Sequence, residues 1–217
     1  MTIVALLDLF MPPACAFCGR VGALLCPHCL DTFEAPSRSA DVFLASDAGI
    51  VVGDSLVLAM AAFAYAGPMR RALAAFKYSG ASRLAPILAR EAVPALRRLL
   101  AISGSAVLVP VPVHLERKRV RGYNQAELIA RELGRLARLP VLDVLDRVRP
   151  TTKQHQLNRS ARLRNLRGAL SVRHESPRVV ILVDDIITTT ATLEACASAL
   201  CERGCDAAFG FALAREL

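Results

Sequence analysis

The stretch VVILVDDIITTTAT, Val179 to Thr192, constrains the fold more than any other. Its opening run is β-branched or leucine, the pattern of a strand buried on both faces, and such strands belong to parallel sheets. Two adjacent carboxylates, Asp184 and Asp185, end the run, and a hydroxyl-rich turn then leads into a helix. At the carboxyl end of a parallel strand, this order sets acidic groups, backbone N–H groups and Thr hydroxyls around one crevice. The N-terminus of the next helix favours an anion there. A sugar phosphate offers what such a crevice reads: hydroxyls for the carboxylates and a phosphate for the turn.

Alternating strands and helices surround this segment. Val57 to Tyr65 reads as a strand, and Pro68 opens a helix that runs through Lys77 and closes at Ser79-Gly80. A second helix spans about Ser82 to Leu100, with Pro94 kinking or dividing it. Ala106 to Val113 is a buried strand with its prolines at the end, turning into the basic run Arg117, Lys118, Arg119 and Arg121. Asn124 then caps a helix, with Glu127 reaching back in a capping box and Leu128, Ile129, Leu133 and Leu136 as the inward stripe. Val141 to Val148 is a shorter strand, and the polar, arginine-rich residues 151–170 form a loop with a short helix. Thr192 to Arg203 is a helix with Gly204 after it, and Ala207 to Ala214 is the last strand. The order predicts an α/β fold with a parallel sheet covered on both faces.

Seven cysteines fall into two groups. Cys15, Cys18, Cys26 and Cys29 form two CxxC pairs, each a knuckle aiming two thiolates at one ion, and four thiolates complete a closed tetrahedral zinc site. Gly19 suits the first turn, and His28 is a surface residue once four Cys are available. Cys196, Cys201 and Cys205 read as small core hydrophobes.

Charge separates the chain into unlike parts. Residues 1–58 hold two arginines against six acids, a poor electrostatic dock for nucleic acid. Residues 114–173 hold fifteen Lys and Arg against five acids, so polyanion contact is expected there. The 217 residues are 54% apolar, yet charge interrupts every long apolar run, which predicts a soluble protein with no membrane insertion. MTIVALLDLF lacks a basic leader and carries Asp8, so it reads as a short amphipathic helix of a cytoplasmic protein.

The double CxxC, FKYSG (Phe76 to Gly80), VPVPVH (Val109 to His114), RGYNQ (Arg121 to Gln125) and VDDIITTTATL (Val183 to Leu193), in that order, resemble the ComF family. RNLRGAL, Arg164 to Leu170, is a further match. That resemblance implies a zinc ribbon joined to a type I phosphoribosyltransferase-like domain, divided here as residues 1–58 and 59–217, and a role in bacterial competence and DNA uptake. It also implies that phosphoribosyl pyrophosphate (PRPP) or a related sugar phosphate binds with Mg, Asp184 and Asp185 holding the ribose hydroxyls. Thr188, Thr189, Thr190, Ala191 and Thr192 would form the 5′-phosphate cradle. Thr190 and Ala191 replace the glycines usual in that turn, so any position there needing positive φ would be strained. The turn after VPVP corresponds to the pyrophosphate loop, which brings Val113 and His114 near the leaving group and makes Lys77, Arg117, Lys118, Arg119 and Arg121 candidates for its charge. Neither His114 nor His155 is singled out as a catalytic base. Arg162, Arg164 and Arg167 would be a lid or a DNA face. Three functional classes follow: a pentosyl transferase of unknown acceptor, a non-catalytic module binding single-stranded DNA, a competence helicase or other uptake proteins, and a sensor of PRPP.

Overall fold

A computed structural model describes residues 12–34, 42–44, 55–78, 82–148 and 169–216. The N-terminal helix, the Ser79-Gly80 stop and the arginine-rich loop with His155, Arg162, Arg164 and Arg167 lie outside them. Strands β1 (Val42–Leu44), β2 (Leu56–Ala64), β3 (Val107–Pro110), β6 (Val179–Ile187) and β7 (Ala207–Arg215) make one sheet in the order β1-β2-β7-β6-β3. All neighbours are parallel except β1, which pairs antiparallel with β2. Strands β4 (Leu145–Arg147) and β5 (Leu170–Val172) form a separate antiparallel hairpin. The helices are α1 (Pro27–Leu30), α2 (Gly67–Tyr78), α3 (Ala85–Ser103, after a 3-10 turn over Ser82–Leu84), α4 (Leu115–Arg121), α5 (Gln125–Ala137) and α6 (Ala191–Cys201).

The two-residue strand period divides the core. Leu58, Met60, Leu108, Ile181, Val183 and Phe211 pack with buried residues of α2, α3 and α5, whereas Val109, Val180, Leu182 and Ala212 pack with Leu193, Cys196 and Leu200 of α6. Cys196 and Cys205 are buried and Cys201 half-buried, as small core residues. Gly210 occupies a crowded point of β7. A Cβ there would lie 2.8 Å from Leu193 Cδ1 and 2.9 Å from the Cβ of Ala59, its register partner on β2. Leu193 can rotate, but Ala59 moves only with its strand. Gly210→Ala is therefore expected to lower unfolding stability by about 1–3 kcal/mol, measured by urea denaturation; an unchanged midpoint would show that the sheet yields without cost.

Three local expectations differ from the structure. Pro94 does not divide its helix, because α3 runs unbroken from Ala85 to Ser103. Pro94 and Arg90, whose carbonyl loses its N–H partner, are both exposed, so the loss falls on the hydrated face. The basic run after Val113 is a helix, α4, capped by His114 and ended by Gly122 at φ 81°. On α5, Asn124 caps as expected, accepting from Ala126 N at 3.1 Å, but Glu127 does not reach back. Lys118 at 3.1 Å and Arg131 at 2.7 Å hold its carboxylate instead. The inner face of α5 uses Ile129, Ala130, Leu133 and Gly134, with Leu128 and Leu136 only half-buried.

The cysteine-bearing segment packs against this core. Cys15, Leu25, Cys26 and Cys29 belong to the same buried cluster as α2 and α3. Phe33 meets Phe63 edge-on with ring centroids 5.3 Å apart, and the Arg71 guanidinium lies 5.2 Å from the Phe17 ring centroid. Among the described residues, no helix is long and apolar enough to cross a membrane.

Candidate functional site

The last ladder bond on β3 runs from Val111 N to Val183 O, at 2.9 Å. Leu108 exchanges bonds with Pro140 and Leu142 on the other edge of β3. Pro110 and Pro112 share Leu108's parity, have no N–H to continue that ladder, and close the strand. Strand β6 runs on past this point, paired with β7 alone as far as Ile187 opposite Arg215. Asp184 and Asp185 are therefore not beyond the strand, as expected from the sequence. They are inside it, where its other edge has just lost its neighbour.

The strand period sends the two carboxylates to opposite faces. Asp185 has the parity of Ile181 and Val183 and meets Lys77, from the last turn of α2, at 2.8 Å. Asp184 has the parity of Val180 and Leu182 and is surrounded on the α6 side, its Oδ1 accepting from Asp185 N at 2.8 Å. Burial, reinforced by the neighbouring Asp185 charge, pushes its carboxyl pKa up to about 7, against the opposing pull of the Asp185 N–H and Lys77.

Helical phase sorts the cations of α4. Arg117 and Arg121, four apart, line a cavity of about 180 Å3 with Lys77, Val113, Asn124, Gln125, Arg147, Asp184, Asp185 and Thr192. Lys118 and His114 line a neighbouring cleft of about 410 Å3 that shares Pro112, Val113, Asn124 and Arg147 with the first. Arg119 is exposed and lines neither, because its position on α4 turns it away. His114 is the cap of α4, its Nδ1 accepting from Glu116 N at 3.4 Å. Of the threonine turn, Thr192 lines the cavity, Thr190 and Ala191 are buried, and Thr188 is exposed. The expected strain is absent: Thr190 is right-handed at φ −71° and ψ 0°, and Arg138 is the only described non-glycine residue with positive φ.

Several of the sequence strings meet here. The Tyr123 hydroxyl donates to the Phe76 carbonyl beside Lys77, with their rings 5.7 Å apart, and Asn124 Nδ2 donates to Val111 O at 3.0 Å. Sequence reasoning missed Arg147, a half-buried arginine of the β4-β5 hairpin near Asp184 and Arg117. Its short strand gave no sign of where the hairpin would dock. It missed Gln125 as well, the residue after the cap. Buried Glu194 on α6 accepts from Ser55 N at 3.2 Å and Leu56 N at 3.1 Å, fixing the start of β2.

Away from this cleft, one sulfur from each of Cys15, Cys18, Cys26 and Cys29 lies within 4.8 Å of the others, a group able to hold one metal ion. Cys18 Sγ and Cys26 Sγ are 3.7 Å apart. A tetrahedron with Zn–S of about 2.3 Å has sulfur edges of about 3.8 Å, so this pair already stands at an edge. Cys26 N points at Cys15 Sγ, 3.5 Å away, and Gly19 turns the first knuckle at φ 73°. His28 is exposed and outside the group. The donor set fits zinc.

No protein-family model matches the chain. It is 38% identical over 113 residues to Competence protein F of Haemophilus influenzae, covering 50% of this chain and 49% of that protein. It is 33% identical over 141 residues to DNA utilization protein YhgH of Escherichia coli K12, covering 63% and 61%. A third relative, Competence protein ComFC of Bacillus subtilis, is 35% identical over 100 residues, covering 45% and 39%. The chain thus matches about two-fifths to three-fifths of the length of these relatives. The shared sequence, with the parallel sheet and cysteine cluster that carry its motifs, supports a ComF-family assignment.

Proposed function

We propose that the cleft at the end of β6 binds PRPP with Mg, that the cysteine cluster holds a structural zinc ion, and that the protein serves competence or DNA utilization, as its relatives' names do for them. One observation carries the sugar-phosphate reading. Asp184 and Asp185 share a single cavity with Lys77, Arg117, Arg121, Arg147 and the start of α6. Paired carboxylates suit ribose hydroxyls, the threonine turn at the start of α6 suits the 5′-phosphate, and the cations suit a diphosphate. When bound, Mg would neutralise part of the diphosphate charge. If the sugar is transferred, an acceptor nucleophile bonds to the anomeric carbon as the bond to pyrophosphate breaks, and the cations stabilise the departing charge. The larger cleft next door, sharing Arg147 and Val113, is the space an acceptor would use.

The test is calorimetric titration of PRPP with Mg into the wild type, an Arg117→Met, Arg121→Met variant and an Arg119→Met control. The inward pair should weaken binding 100-fold or more, at about 1.5–3 kcal/mol for each charge-assisted bond. The control should match the wild type. Equal losses in both variants would show a diffuse charge effect and refute the site. No binding by a folded, zinc-loaded wild type would shift the function to the outer basic surface, where α4 buries no residue and exposes Leu115 and Val120 beside Lys118 and Arg119. Single-stranded DNA would be the ligand to try there.

A further inference from the structure

We infer that the Tyr123 hydroxyl is a positioning group: through the Phe76 carbonyl it ties the junction of α4 and α5 to the end of α2, and so holds Lys77 on Asp185. That Lys77 then serves a ligand rests on the sugar-phosphate reading of the cleft. Lys77 stands in the last turn of α2, where backbone carbonyls have no partner within the helix. Phe76, the residue before it, is fully buried in the same cluster as Leu73, Leu84 and Leu88. Its carbonyl accepts from the Tyr123 hydroxyl, and the two rings pack with centroids 5.7 Å apart. Phe76 is thus held by its side chain and by its backbone. Successive helical residues point about 100° apart, so a fixed Phe76 sets the direction in which Lys77 leaves α2, toward Asp185 at 2.8 Å.

Tyr123 can act as a tie because its own backbone is held on both sides. Gly122 before it ends α4, and Asn124 after it caps α5 while its Nδ2 donates to Val111 O at the end of β3. Arg117 and Arg121 stand on α4, so the bond helps to set their separation from Lys77 across the cavity that all three line. Burial raises the Tyr123 phenol above its ordinary value, against the opposing Arg121 charge, and the hydroxyl therefore remains a donor across the neutral range. A lysine ammonium rides on a flexible four-carbon stem and is strongly hydrated, so a backbone free to shift would release it from Asp185 to water. Tyr123→Phe isolates this role, because it keeps the ring against Phe76 and removes only the donor.

The first test needs no ligand. Reductive methylation with a 13C label marks the lysines Lys77, Lys118 and Lys153 for NMR, and Lys77→Arg identifies the Lys77 signal. In the unliganded full chain, Tyr123→Phe should move that signal in the same direction as Asp185→Asn, which removes its partner, and leave the Lys118 signal in place. A merely structural hydroxyl would lower the unfolding temperature and leave Lys77 on Asp185. The second test is calorimetric titration of PRPP with Mg. Tyr123→Phe should weaken binding about five- to tenfold, the worth of one hydrogen bond, but less than about twofold in a Lys77→Met background. An unmoved Lys77 signal, or losses that multiply in the double variant, would overturn the positioning role. If the wild type binds no PRPP, the sugar-phosphate reading falls, while a moved Lys77 signal in Tyr123→Phe still upholds the tie.

Discussion

Removing the metal, or replacing Cys15 and Cys18 together by serine, is expected to unfold far more than a ribbon. A structural zinc contributes an apparent binding free energy of about 10–16 kcal/mol in small zinc modules, as much as the net stability of a typical domain. Here a zinc ion in the cysteine cluster would tie that contribution to the main core. Cys15, Cys26 and Cys29 are buried in the cluster that includes Leu73, Phe76, Leu88 and Leu96, and Phe33 packs on Phe63 of β2. Loss of the ion would leave four thiols crowded within 4.8 Å and uncover one face of α2 and α3. The effect reaches the ligand site because Lys77 and Phe76, the acceptor of the Tyr123 hydroxyl, both belong to α2. Chelation should therefore lower the unfolding temperature by ten degrees or more and weaken PRPP binding with it. The measurements are bound zinc by elemental analysis and thermal unfolding with and without chelator. One zinc per chain with an unchanged midpoint after its removal would confine the ion to a peripheral role, and no bound zinc would defeat the assignment.

How much of this was legible depended on whether the signal was local. The apolar run of β6, the Asp pair, the double CxxC and the Asn124 cap are each set by neighbours in sequence, and each appears where the sequence placed it to within a few residues. Glu127 was misread because its capping partner is local whereas the cations that hold it, Lys118 on another helix and Arg131 a turn ahead, compete with the cap. Nothing local marks the basic run that follows the turn after Val113 as a helix, and α4 indeed buries nothing. Its helical form matters nonetheless, since only a helix separates Arg117 and Arg121 from Arg119. Arg147 and Gln125 are positioned by the docking of a hairpin and by a bond to Arg121, neither of which leaves a periodic trace. The threonine turn was expected to suffer for its missing glycines, but at Thr190 the backbone uses a right-handed conformation that any residue accepts.

Asp184→Asn should make the unliganded protein more stable at pH 8 and nearly abolish its binding of PRPP. In the folded chain, burial and the Asp185 charge raise the Asp184 carboxyl to about 7, whereas an unfolded aspartate titrates near 3.9. Between those values the native state holds a proton that the unfolded state has released, so this group's contribution to stability declines as pH rises from about 4 to about 7. Below that window both states are protonated and the difference vanishes; above it the native state carries the full cost of a crowded, desolvated charge. Asparagine removes that cost while keeping an oxygen for Asp185 N. A gain of about 1–3 kcal/mol at pH 8 and almost none near pH 4 is expected from paired denaturation curves. Binding should move the other way. Charged Asp184 is the form that accepts from sugar hydroxyls, so wild-type affinity should rise with pH up to about 7, with proton release on binding below it. Opposite responses of stability and affinity are what a residue retained for its ligand predicts. Asp184→Asn that is less stable at pH 8, or that binds PRPP as tightly as the wild type, would show instead that the carboxylate belongs to the architecture of β6 and that the ribose is held elsewhere.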